Sequence, residues 1–441
     1  MKHGNLSPTV RFALPVMAEN ILTMVTTQIA AMMIGQISGA SLAASGTGNA
    51  MINVTTAVFT MINTGSAVLI SRLVGAGSAR EAADTLEQAV SLLVMTSVAA
   101  AVLFLAAAWP LMRLLMPTAE AALMDEAVVY FRISAASFPF LMLQTLLCGA
   151  LRAAGNSRAP MFLVVGMNAL MALMAWLFII VCRLGMFGAG MAYAAARVVG
   201  AAAAAVIVIR YHGRFSIRLS NLLRPRPAAY RRIFRIGVPM AVESVSVQVG
   251  YLIGNSLTVG LGTLSATVYQ VCSSINNFTW MPNGACAATA QAMVGLRLGE
   301  GRIDEAKKVT RHVWLAGAAG VLAIGVVMAL SGQFMAGLYS SDEAVISMSR
   351  PILWLMLLLS VPGMSVNTTD STLRAGGDAK FVMMASVIGV WLIRLPFTWL
   401  LAYRLEMGVV GVFLANGLSL GFRTVMGLAR FASGKWIHQT M

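Results

Sequence analysis

The chain is 441 residues long, 59% hydrophobic and only 11% charged, with a formal net charge of +15. Soluble domains carry about 25% charged residues, so a water-soluble globular protein is excluded. The basic excess would suit a nucleic-acid partner, but the lysines and arginines lie in the breaks between long apolar runs, where membrane proteins place them; no nucleic-acid partner is expected.

Only helices and closed barrels pair every backbone N–H and C=O within lipid. Barrel strands alternate apolar and polar residues over about ten positions. Here the apolar runs are continuous and reach the about 20 residues that a spanning helix needs. The fold class expected is therefore all-α integral membrane, with about twelve transmembrane helices. They are predicted at 10–36, 47–74, 87–110, 126–150, 159–183, 186–210, 232–260, 264–296, 309–337, 345–371, 379–404 and 408–431. The first run carries Glu19 and lacks a small-residue cleavage site, so it reads as a retained helix rather than a signal peptide. Cys148, Cys182, Cys272 and Cys286 all fall in apolar runs without metal-type spacing and are expected to be buried, inert thiols. No metal or cofactor is implied.

Twelve spans put both termini on one side. Arg72, Arg80, Arg152, Arg158, Arg297, Arg302, Lys307, Lys308, Arg374 and Lys380 concentrate in even-numbered loops, and Lys2, Arg11, Arg423, Arg430 and Lys435 sit towards the termini. By the positive-inside rule these face the cytoplasm. The expected location is the cell (inner) membrane, multi-pass, with both termini cytoplasmic. The basic stretch from Arg210 to Arg235, with Pro225 and Pro227, is the long polar break. It divides the chain into an N-terminal six-helix bundle (1–210), a cytoplasmic linker (211–231) and a C-terminal six-helix bundle (232–441).

The two halves repeat one another. Leu14-Pro15 followed by Glu19 returns as Val238-Pro239 followed by Glu243. Gly75-Ala76-Gly77 with Glu81-Ala82 returns as Gly299-Glu300-Gly301 with Glu305-Ala306. Leu151-Arg152-Ala153 returns as Leu373-Arg374-Ala375, and Gly185 with Gly188 returns as Gly408 with Gly411. Six helices per half make the halves enter the membrane in the same direction, so the bundles are related by an axis along the membrane normal. Two such bundles leave a cleft, and rocking one against the other gives alternating access.

Charges within spans are expensive and mark function by default. Glu19 and Glu243 lie roughly 15 Å into their helices at ~1.5 Å per residue, and each could hold a proton or a cation. The competing reading is a hydrogen-bonded acid that fixes helix packing beside its proline. Asp370 is the third candidate for ion or proton coupling, although Arg374 stands four residues on and an i,i+4 pair would account for it. Arg394, midway along the eleventh helix, needs an acidic or polar partner, for which Asp370 or Glu243 is available. Asn20, Gln28, Gln144, Asn168, Gln248 and Asn255 are candidates to line a cleft or to bond between helices. Pro15 and Pro239, and likewise Pro139 and Pro362, stand at matching places in the two halves and are candidate hinges. Gly417-Leu418-Ser419-Leu420-Gly421 matches a nucleophile-elbow pattern, but lies inside a predicted helix where that motif needs a strand–turn–helix. No enzyme is expected.

The stretch Gly65, then Leu69-Ile70-Ser71-Arg72-Leu73-Val74-Gly75-Ala76-Gly77, then Glu81-Ala82, resembles the end of helix 2 in the multidrug and toxic compound extrusion (MATE) family. Gln291 through Val294-Gly295 to Leu298-Gly299 is similar to the helix 8 counterpart, and Leu151-Arg152-Ala153-Ala154-Gly155-Asn156 and Leu373-Arg374-Ala375-Gly376-Gly377-Asp378 resemble the family's L-R-G-x-G-D turns. The resemblance implies two six-helix bundles around a V-shaped cleft and an antiporter for multidrug efflux. It would export xenobiotics, typically amphiphilic organic cations, driven by H⁺ or Na⁺ influx. The expected partners are thus a small-molecule substrate, H⁺ or Na⁺ and membrane lipid, with the chain a monomer. Three places depart from the family. Ala30 stands where many members have an Asp, Val247 where cation-coupled members have the helix 7 acid, and their helix 10 acid falls earlier than Asp370. The family's coupling residues are therefore not carried over. The alternatives are a flippase for lipid-linked saccharides or other lipids, which would need several cationic groups in its cleft, and a non-transporting membrane receptor.

Overall fold

The computed structural model describes residues 8–35, 39–115, 121–210, 226–340 and 342–437. Among them the regular structure is helical throughout. The helices are α1 (Pro8–Gly35), α2 (Gly39–Gly75), α3 (Ala79–Leu115), α4 (Ala121–Ala136), α5 (Phe138–Ala153), α6 (Arg158–Ala175), α7 (Gly185–Arg210), α8 (Pro227–Val259), α9 (Thr263–Asn276), α10 (Trp280–Gly299), α11 (Ile303–Leu330), α12 (Gly332–Tyr339), α13 (Glu343–Ala375), α14 (Ala379–Val387), α15 (Leu395–Trp399) and α16 (Gly408–Ala432). Among the described residues ten helical segments are long and apolar enough to cross a membrane, and the bent pair α4–α5 makes an eleventh. The remaining expected span, 264–296, is broken by a 3-10 turn at Asn277–Thr279 into α9 and α10. Large apolar side chains face outward, among them Leu358 at 72% exposure and Phe334 at 71%, a surface suited to acyl chains rather than water.

The chain forms two compact units, Ala18–Gly237 and Met1–Met17 with Val238–Met441. The divisions fall inside α1 and α8, beside Pro15 and Pro239. The core of the first unit centres on Tyr130, Phe131, Phe138, Met142 and Leu146, all fully buried, with Phe59 edge-on to Phe138 at 5.2 Å. The opening turns of α8 lie against α2 in this unit. A Cβ on Gly65 would come within 2.9 Å of the Ile233 carbonyl, and one on Gly237 would run into the Met61 carbonyl. Small residues at such a crossing let two backbones touch, the usual solution where helices pack in lipid. In the second unit, Val268, Ile275, Ile352, Leu353 and Phe413 make the central cluster, and Phe12 and Val16 of α1 pack on Ala285 and Ala292. The basic stretch 211–225 of the expected linker lies outside the described residues.

The backbone repeats itself as the motifs do. Eight of the ten left-handed residues among those described fall in matched pairs: Gly77 and Gly301 (both φ 74°), Gly155 and Gly377 (both φ 88°), Gly185 and Gly408 (φ 57° and 55°), and Arg183 and Glu406 (φ 52° and 53°). A π-helical ending at Trp176–Val181 has its counterpart at Leu400–Arg404. A further π-helical stretch, Ile388–Arg394, has none: the matching part of α6 is regular. Pro139 follows a 43° break between α4 and α5, whereas Pro15, Pro239 and Pro362 lie within continuous helices. Of the cysteines expected to be buried, Cys148, Cys272 and Cys286 are, but Cys182 is exposed. It caps the π-helical ending just before the turn at Arg183, where the chain leaves the span.

Candidate functional site

The two deep glutamates are buried, Glu19 at 7% and Glu243 at 5% exposure, and both are held by arginine. In the first unit, Arg152 in the last turn of α5 donates through Nη1 to both carboxylate oxygens of Glu19, at 3.0 and 3.1 Å. In the second unit, Arg374 in the last turn of α13 donates through Nη2 to Glu243 at 2.6 Å. The proline–glutamate motif and the Leu-Arg-Ala turn, both repeated, are thus the two ends of one ion pair in each half. The matched spacing of the two motifs was a signal that they belong together, and spacing within a single helix hid it.

The second unit builds further on this pair. Ser386 donates to Glu243 at 2.9 Å, and Arg423 on α16 reaches Glu243 at 3.4 Å and Asp370 at 2.8 Å. Asp370 is therefore bonded by Arg423 rather than by Arg374 four residues along its own helix. Arg423, read from sequence as a cytoplasmic surface charge, belongs to this cluster instead. Two carboxylates and two guanidiniums balance there, as charges in a dry setting must. Two turns further along α16, Arg430 donates through Nε to Asp378 at 2.6 Å. Trp436, fully buried, covers the same turn, its ring occupying the space a Cβ on Gly376 would need.

The amide candidates divide. Asn168 is buried and donates to Thr23 at 2.9 Å, tying α6 to α1. Gln144 is buried, and a Cβ on Gly200 would meet its Oε1 at 2.8 Å. Asn20 is partly buried, while Gln28, Gln248 and Asn255 are exposed. Ala30, where the family often has an acid, is buried beside Met171, Ala196, Met167 and Tyr193. Arg394 does not meet Asp370 or Glu243: its guanidinium lies over the Tyr251 ring, 4.0 Å from the centroid. Ser419 of the elbow-like pattern sits within α16 and donates to the Gly389 carbonyl at 2.7 Å, a helix-to-helix contact.

The MatE family model matches the chain twice, over residues 15–177 and again over 239–400. The chain belongs to the MatE family. Each match opens on one of the paired prolines, so the repeat seen in the motifs and turns is the family's own unit. The uncharacterized transporter YisQ of Bacillus subtilis is 26% identical, over 97% of this chain and 94% of that protein. The probable multidrug resistance protein NorM of Thermotoga maritima is 23% identical, over 97% and 92%. Among solved structures, an outward-facing multidrug resistance MATE transporter superposes with a TM-score of 0.88 at 18% identity, covering 97% of this chain and 94% of that one. A MOP-superfamily transporter from Pyrococcus furiosus, noted for the reversed polarity of its binding pocket, gives 0.88 at 18%, over 98% and 96%. The chain is thus a multi-pass membrane protein with the two-bundle MATE fold, and its relatives are transporters.

Proposed function

We propose that this MatE protein is a secondary active transporter that exports small organic compounds, amphiphilic cations among them, by alternating access coupled to inward H⁺ or Na⁺ flow. The observation that carries the reading is the double family match, each copy holding a buried glutamate gripped by the arginine of its own Leu-Arg-Ala turn. A proton or Na⁺ arriving at such a carboxylate competes with the guanidinium. Binding the ion loosens the hold of α1 on α5, or of α8 on α13, and ion release restores it. Glu19, Glu243 and Asp370 are the coupling groups in this scheme, and Pro15, Pro239, Pro139 and Pro362 are the places where helices bend. A ligand moves an equilibrium only by its differential affinity for the two states, and an ion that breaks a buried pair has that property.

The test is dye efflux from proteoliposomes under H⁺ and Na⁺ gradients imposed separately, with Glu19→Gln and Glu243→Gln beside the parent. One gradient should drive export, and at least one variant should lose that dependence. Export by both variants at the parental rate under every gradient would remove the carboxylates from the mechanism. Export by the parent that ignores both gradients would end the coupled-transport reading.

A further inference from the structure

Every buried acid described above is neutralised by an arginine, but two buried arginines among the described residues, Arg197 and Arg394, have no carboxylate within 4.0 Å. Arg197 is 8% exposed and is satisfied by neutral acceptors at the α4–α5 break: the Ser137 hydroxyl at 2.8 Å and the Ser134 carbonyl at 3.3 Å. It ties the kink and needs no other explanation. Arg394 is 4% exposed, and among the described residues no carboxylate lies within 4.0 Å of it. Its guanidinium covers the Tyr251 ring, and nearby Tyr269 stacks on Phe413 at 5.3 Å. A guanidinium has five donors in a fixed fork and no acceptor. One ring face leaves that fork without an anion in a part of the chain where charge is costly.

The surroundings are built for approach. Arg394 closes the π-helical stretch that the first half lacks, two residues before Pro396, and such stretches recur at functional sites. Tyr251 is 37% exposed. Gln248, Tyr251 and Asn255 share one face of α8 by their spacing, and all three are exposed. Between them Gly254 puts no side chain in the way; a Cβ there would lie 3.6 Å from Nη2 of Arg394. The face thus offers amide donors beside a half-open aromatic ring, with a guanidinium behind.

We infer that Arg394, with Tyr251, Gln248 and Asn255, binds an oxyanion carried by the transported compound, so that the preferred substrates are amphiphiles bearing a carboxylate or a similar group rather than simple cations. This rests on the transport reading above and narrows its substrate class. A guanidinium pairs with a carboxylate through two parallel N–H···O bonds, and the exposed tyrosine receives the aromatic body of the same molecule. A lipid phosphate has the same oxyanion chemistry, so the test separates the two sources.

Purified protein in phosphatidylcholine nanodiscs is titrated against rhodamine B, which carries a free carboxylate, and against its ethyl ester, which does not, with fluorescence anisotropy as the readout. The parent should bind the acid about tenfold more tightly than the ester. Arg394→Gln should abolish that preference, bringing the affinities for acid and ester together, and Arg394→Lys should keep part of it. Equal binding of acid and ester by the parent overturns the inference without recourse to any variant that folds poorly. So does a preference that survives in a folded Arg394→Gln. The parent titration is repeated in nanodiscs containing phosphatidylglycerol. An unchanged preference assigns the site to the compound, and its disappearance assigns it to lipid and overturns the substrate claim. Ester efflux under the imposed gradients is scored separately. Failure there strikes the transport reading, whereas ester export without acid preference strikes only the present one.

Discussion

Removing Arg374 and removing Glu243 should not add. The pair is short, at 2.6 Å, and Glu243 is nearly buried, a setting in which deleting one partner costs about 3–5 kcal/mol. Arg374→Met leaves Glu243 with Ser386 at 2.9 Å and Arg423 at 3.4 Å, so the loss is cut to about 2 kcal/mol on the same scale. Glu243→Gln leaves Asp370 facing two guanidiniums and should cost about 3 kcal/mol. The double variant restores balance, with Asp370 and Arg423 still joined at 2.8 Å. It should cost about 2 kcal/mol, for a coupling of about 3 kcal/mol. The equivalent cycle on Glu19 and Arg152 has no reserve guanidinium among the described ion pairs, so Arg152→Met should be the more damaging arginine change. Unfolding by SDS titration, followed by circular dichroism, measures all the free energies. Losses that sum to within about 0.5 kcal/mol in the Glu243 cycle would refute the idea of one shared electrostatic cluster.

Gly237→Ala drives a methyl group into the Met61 carbonyl and should cost about 1–3 kcal/mol. Gly149→Ala, with nothing within 4 Å of the new Cβ, should be neutral or gain up to about 1 kcal/mol; equal melting temperatures for the two variants would show that the α2–α8 contact is not tight. Ala30→Asp restores the acid that many family members have, but into a cluster of Met167, Met171, Tyr193 and Ala196. It should lower stability by about 2 kcal/mol or more and leave the pH dependence of efflux as in the parent, so a new proton-driven component would contradict this.

Much of the architecture was legible because lipid imposes it. Continuous apolar runs forced helices, and the repeat was visible wherever the backbone needs a special residue, as at the left-handed Gly77 and Gly301. The acids were legible too, since a carboxyl group inside a span stands out from its neighbours. Their partners were not. The i,i+4 spacing of Asp370 and Arg374 suggested a bond that the structure gives to Arg423, 53 residues further on. A carboxylate takes whichever guanidinium the packing of α13 on α16 delivers, and spacing along one helix does not encode that. The aromatic seat of Arg394 was hidden for the same reason, its tyrosines lying on α8 and α9. The break at Asn277–Thr279 had a signal in the polar run Ser273, Ser274, Asn276, Asn277, Thr279, Pro282 and Asn283, which the expected single span passed over.

The four-membered cluster also records how the two copies drifted apart. One repeat length before Asp370 stands Cys148, and one before Arg423 stands Gly200, whose vacant side-chain space is filled by Gln144 and Met167. The later copy thus carries an extra acid and an extra base where the earlier copy carries neither. An ancestor with only one of them would have left the buried Glu243–Arg374 pair with an unbalanced charge beside it. Divergence at such a locus is ratcheted: substitutions persist as electroneutral couples, and the unit of inheritance there is the pair.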